Sequence, residues 1–168
     1  MYAKRKLDNM ECISPKLNFS FTNVIVLFET GGCKMLADVE GDLKITLGEK
    51  FFFDEEYILL LELAITLIKW INKIESGEIV DFYYESMDYE DEPILAFKVN
   101  TDSTWHLFSV WQNFNDSSHI FLEELIQSTK AFITHLAAHL TTNLNIDISN
   151  INVESHRFVG WVETHKNL

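Results

Sequence analysis

The sequence predicts an α+β fold, a largely antiparallel sheet packed by two long helices, and three observations carry that expectation. Tyr57 to Ile74 is an apolar stretch of helical character, and residues 119–143 carry an apolar stripe of helical period. The segments before and between them alternate with period two, the mark of half-buried strands. The order is several strands, a helix, three strands and a second helix. A doubly wound parallel sheet requires strands and helices to alternate, so that architecture is excluded.

The chain begins with a short basic arm, Lys4, Arg5 and Lys6, on a terminus (1–14) expected to fray. After Ser14-Pro15, Leu17, Phe19 and Phe21 alternate with Asn18, Ser20 and Thr22, which predicts a strand that Val24 to Phe28 extends or follows. Thr30-Gly31-Gly32 predicts a turn, and Met35 to Glu40 with Asp42 to Leu47 predicts a hairpin turning at Gly41. Lys50 to Phe53 then delivers the chain to the first helix, with Asp54 expected as its N-cap and Glu55 and Glu56 in its first turn.

That helix is the expected centre of the molecule. Its polar positions Glu62, Thr66, Lys69 and Lys73 recur at spacings of four, three and four, so they share one narrow stripe. Leu59, Leu60, Leu63, Ala64, Leu67, Ile68, Trp70 and Ile71 cover the rest, which requires protein on nearly every side. A membrane span is the competing reading. Glu62 and Lys69 argue against it, since each charge at mid-membrane costs about 2.5–3.5 kcal/mol and the uninterrupted apolar runs are short.

Beyond Gly77, Val80, Phe82 and Tyr84 are expected to face the core, and Leu95, Phe97 and Val99 to do the same in the next strand. Thr104 to Gln112 is apolar on both faces, with Trp105, Leu107 and Trp111 on one and Phe108 and Val110 on the other. A central strand covered on both sides fits this best, and an aromatic face open to a partner is the alternative. Asp116 is expected to cap the second helix, whose stripe is Leu122, Leu125, Ile126, Phe132, Ile133, Leu136, Ala137 and Leu140. The whole chain, 1–168, reads as one domain, with 145–168 as a C-terminal extension adding an edge strand or crossing the surface.

Charge bounds the function. Asp and Glu total 26 against 13 Lys and Arg, a formal net charge of −13. Such a field repels phosphate backbones and anionic bilayers, so nucleic acid and membrane are not expected partners, and a cationic protein is. Cys12 and Cys33 have no CxxC spacing and read as free thiols, and no apolar segment follows the basic start, so a cytoplasmic location is expected.

The tract Asp81 to Glu92, DFYYESMDYEDE, interleaves Tyr83, Tyr84 and Tyr89 with Asp81, Glu85, Asp88, Glu90, Asp91 and Glu92. Tyrosine offers large rigid contact area and carboxylate offers bidentate acceptors for Arg, a composition suited to gripping a basic protein. The bland reading is a solvated acidic loop. Asp88, Glu90 and Glu92 alternate as in a calcium loop, but Pro93 and Val99 stand where the glycine and the bidentate Glu are needed. His135 and His139, four apart, lack the Glu of a zincin, and boundary histidines are the expectation. Cys33, after two glycines, is a conceivable nucleophile without a recognisable base. No GxSxG, phosphate loop or Walker pattern is present, so no catalytic residue, metal or cofactor is expected.

FYYESMDYEDEPILAF (82–97), with Asp38-Val39-Glu40-Gly41-Asp42-Leu43 and the apolar helix after it, resembles a family of small uncharacterised proteins of Bacillus-type bacteria. That similarity spans about Leu17 to Leu140 and implies no activity. In style, as a small acidic chain without an active-site motif, it also resembles immunity proteins of polymorphic and contact-dependent toxin systems. The expectation is an acidic binding protein that neutralises a cationic toxin domain, with Tyr83, Glu85, Asp88, Tyr89, Glu90, Asp91 and Glu92 meeting the partner. Two alternatives stand beside it. One is a small enzyme using His135, His139 or Cys33, and the other a self-associating protein joined through Trp105 and Trp111.

Overall fold

A computed structural model describes residues 15–27, 37–154 and 156–166. The basic arm, the expected turn at Gly31-Gly32 and both cysteines fall outside the described residues, as does the candidate nucleophile Cys33. The architecture is α+β, with every strand pairing antiparallel. The strands divide into three sheets. β1 (Leu17–Val26), β2 (Val39–Leu47) and β3 (Lys50–Leu59) form a meander, and β4 (Phe82–Tyr84), β5 (Leu95–Val99) and β6 (Trp105–Phe108) form a second. β7 (Asn152–Val153) and β8 (His156–Arg157) make a short hairpin.

Helix α1 (Leu60–Glu75) lies at the centre, with ten buried side chains from Leu60 to Ile74. It packs on β2, β4, β7 and helix α2 (Leu122–Ala138). The polar stripe falls where the sequence puts it: Glu62 and Thr66 are half-buried, Lys69 and Lys73 exposed. Trp70 seats the helix on the second sheet, edge-on to Phe82, Phe97 and Trp105 at ring distances of 5.9, 5.3 and 5.7 Å.

The start of α1 is a correction. The strand β3 runs on through Asp54, Glu55 and Glu56 to Leu59, so Asp54 caps no helix and instead pairs with Lys44 at 3.3 Å. Leu59 is the N-cap and makes no side-chain capping bond. Ladder pairing with β2, together with burial of Ile58 and Leu59, prevails over the local helix-start signal. Glu55 has its carboxyl pushed up by partial burial and by the neighbouring charges of Asp54 and Glu56.

Gly41 is a second correction. It lies inside β2 rather than at a turn, and a Cβ there would sit 2.6 Å from Leu60 Cδ1 and 3.0 Å from the Thr22 carbonyl oxygen. The glycine lets the first residue of α1 close on the sheet. Two bulges between β2 and β3 absorb the extra length, one making Phe52 an extra residue and the other passing Glu56 and Tyr57, with Tyr57 at φ +60°.

β6 stops at Phe108 and, among the described residues, lies at a sheet edge joined beyond it only by a bridge between Trp105 and Ile120. The expected central strand through Gln112 therefore gives way to a turn in which Ser109 and Gln112 bond to one another's backbone. Asp116 is no cap either; its carboxylate accepts from the backbone N–H of Leu107 and Ser118 at 2.7 and 2.8 Å. The bridge at Ile120 delays α2 to Leu122. Its buried face is Leu125, Thr129, Phe132, Ile133, Leu136 and Ala137, and a π-helical turn (His139–Asn143) continues it. The chain after Asn145 is folded onto this core through Ile148, Ile151, Val153 and helix α3 (Phe158–His165). Trp161 of α3 donates its indole N–H to Asn72 Oδ1 of α1 at 3.1 Å.

Candidate functional site

The acidic tract forms β4 and the loop that leads to β5. Tyr84 ends the strand opposite Leu95, and its carbonyl accepts from Ile94 N–H at 2.9 Å, so the loop leaves and returns at one point. Inside, Ser86 is buried and its carbonyl accepts from Tyr89 N–H at 3.2 Å, forming a tight turn.

Two tyrosines fasten this loop to the junction where β3 becomes α1. The buried Tyr84 donates to Glu62 Oε1 at 3.0 Å, and its hydroxyl is 3.4 Å from the Leu59 carbonyl. Half-buried Tyr89 accepts from Leu59 N–H at 3.1 Å and donates to the Tyr57 carbonyl at 2.9 Å. Its ring stands edge-on to Trp111 at 5.4 Å, and Trp111 Nε1 donates to Asp91 Oδ2 at 3.4 Å. Burial pushes the Tyr84 phenol far up, with Glu62 opposing ionisation next. Tyr89 is pushed up to about 12, first by burial; the bond from Leu59 works against this, and Glu62, Glu40 and Asp88 add to it.

The expected contact residues thus divide by direction. Glu85, Asp88, Glu90, Asp91 and Glu92 are all exposed, and none makes an ion pair among the described residues. Tyr83 is 46% exposed, flanked by Asp81, to which it donates at 3.2 Å, and by the Lys98 ammonium 5.9 Å from its ring centre. Met87, at the outer end of the loop, is fully exposed. Tyr89 faces inward and holds the loop. Trp111, Glu62 and Leu59 complete this fastening, and their part rests on contacts between distant segments that periodicity does not encode.

The other candidates among the described residues are not drawn into a site. His135 is exposed on α2, while His139 is half-buried edge-on to Phe21 at 5.6 Å. Among the described residues no three His, Cys, Asp or Glu side chains converge on a point that could hold a metal. Trp105 is buried under α1, away from any surface, and Trp111 covers Tyr89. His119 Nδ1 lies 2.7 Å from Asp102 Oδ2 and 3.0 Å from Thr104 Oγ1. Both partners occupy the same ring nitrogen, so the hydroxyl is not placed on Nε2 as a base–nucleophile relay requires. Asp102 is held below the usual carboxylate range by its bonds to Thr104 and then by His119.

Residues 17–142 match DUF7878, a domain of unknown function. The chain belongs to this family. The DUF7878 segment holds the meander, α1, the second sheet and all of α2, so the loop and both tyrosines that fasten it lie within the family's domain. The hairpin β7–β8 and α3 follow it. No curated protein and no solved structure matches the chain. Among the described residues no helix is long and apolar enough to cross a membrane.

Proposed function

We propose that this DUF7878 protein is a bacterial, cytoplasmic immunity protein that binds a cognate cationic toxin domain and blocks its active site. The observation that supports this reading is the pairing of opposites in one loop. Five carboxylates face solvent without a cationic partner among the described residues, and the backbone beneath them is tied to the core by Tyr84, Tyr89 and Trp111. Carboxylates held on a fixed loop attract a basic cleft over long range and then need little ordering on contact. Tyr83 and Met87 supply apolar contact beside the charges.

The acids act as the steering element and as bidentate acceptors for Arg or Lys, covering the surface a nuclease uses for its phosphate substrate. The test is co-expression with the C-terminal toxin domain of a large secreted protein encoded beside this gene, scoring growth and co-purification. Rescue with a salt-sensitive complex is expected. The triple variant E85K/D88K/E90K is expected to slow association about tenfold or more at low salt and to flatten its salt dependence. Association at the wild-type rate in that variant removes the loop from the interface.

A further inference from the structure

Beside the acidic loop, and sharing Tyr83 with it, a groove of 340 Å³ runs between α1 and β4. Its floor and walls include Trp70, Val80, Phe82 and Tyr83, and its helix side carries Lys69 and Lys73. These two lysines stand one helical turn apart, where like charges repel and weaken the helix. Of the six other described lysines, five are neutralised or sheltered, and exposed Lys16 makes no ion pair among the described residues. Lys44, Lys130 and Lys166 pair with carboxylates, and Lys50 and Lys98 lie over the rings of Phe114 and Phe108. Lys69 and Lys73 make no ion pair among the described residues despite a chain with 26 acidic side chains.

We propose that this groove binds a small amphiphilic organic anion, an aromatic or aliphatic body carrying one carboxylate or phosphate. The body lies along Trp70, Val80 and the Tyr83 ring, and the anionic head sits between the two ammonium groups. The volume falls at the lower end of small-ligand pockets, and an apolar lining with a few convergent polar groups is their usual chemistry. Both carboxylate oxygens of Asp81, which also lines the groove, are engaged, Oδ1 accepting from Val99 N–H at 3.0 Å and Oδ2 from the Tyr83 hydroxyl at 3.2 Å. The head therefore meets the lysines at the helix side. At physiological salt charges screen one another beyond roughly 8 Å, so within the groove two ammonium groups stand against the single carboxylate of Asp81 and set the local sign.

The probes are 8-anilinonaphthalene-1-sulfonate, followed by fluorescence, and 2-naphthoate, followed by the NMR resonance of the Trp70 indole N–H. That proton is donated to the Val80 carbonyl at 2.8 Å, so it reports the groove wall directly. Saturable one-to-one binding is expected, with 2-naphthoate displacing the dye, neutral 2-naphthalenemethanol doing so at least about tenfold more weakly, and a shifted Trp70 resonance. The variant K69M/K73M, changed only at exposed positions, is expected to weaken dye binding about tenfold. Equal binding by that variant, a stationary Trp70 resonance in the wild type, or displacement by inorganic phosphate as readily as by naphthoate overturns the proposal.

Discussion

Tyr89→Phe removes a single oxygen, and the structure states what that oxygen does. It accepts from Leu59 N–H at 3.1 Å and donates to the Tyr57 carbonyl at 2.9 Å. Tyr57 is 63% exposed, so water replaces the hydroxyl at its carbonyl; Leu59 is 2% exposed, so its N–H is stranded at a helix start with no capping side chain. An unsatisfied buried N–H costs about 1–3 kcal/mol, and partial wetting around the half-buried ring places Tyr89→Phe at about 1–2 kcal/mol. For a chain of this size that is a fall of about 2–8 °C in Tm. Urea unfolding followed by tryptophan fluorescence measures the free energy, with Tyr83→Phe as the control because Tyr83 is exposed and its hydroxyl bonds only to Asp81. The control is expected within about 0.5 kcal/mol of wild type. Equal stability of the two variants would refute the claim that Tyr89 fastens the acidic loop to the core. Faster amide exchange across residues 85–92 in Tyr89→Phe is the accompanying local sign.

Gly41→Ala drives a methyl into Leu60 Cδ1 and the Thr22 carbonyl and is expected to destabilise by about 1–3 kcal/mol. Gly160→Ala meets nothing within 4 Å on α3 and is expected to stabilise by about 0.5–1 kcal/mol, so thermal unfolding of the pair must move in opposite directions. Alkali tests the buried phenols: Tyr84 and Tyr89 both titrate above the ordinary value of 10.0 in the folded chain. As pH rises past that value the unfolded chain releases protons that the folded chain retains, so stability present below it declines toward and beyond about 12. Urea midpoints at about pH 8 and about pH 11 measure the decline, and Tyr84→Phe/Tyr89→Phe is expected to show a shallower one; identical slopes would mean the phenols carry none of it.

The sequence by itself determined the fold class, the central helix and the face that helix leaves polar, because side-chain period is a local property. Leu17, Phe19 and Leu43, Ile45, Leu47 alternate inward as their spacing requires, and Lys69 and Lys73 emerge where the stripe of α1 puts them. Tertiary structure alone decided where strand gives way to helix. Asp54-Glu55-Glu56 carries a helix-start signal, and pairing with β2 overrides it in favour of the strand. It also decided which tyrosines face a partner. Tyr83, Tyr84 and Tyr89 read alike in sequence, yet only Tyr83 is exposed, because Glu62, Leu59 and Trp111 arrive from distant segments to receive the other two. Hydrogen-bond partners separated by 22 to 32 residues leave no mark on local periodicity, and the groove beside β4 exists only where α1 meets it.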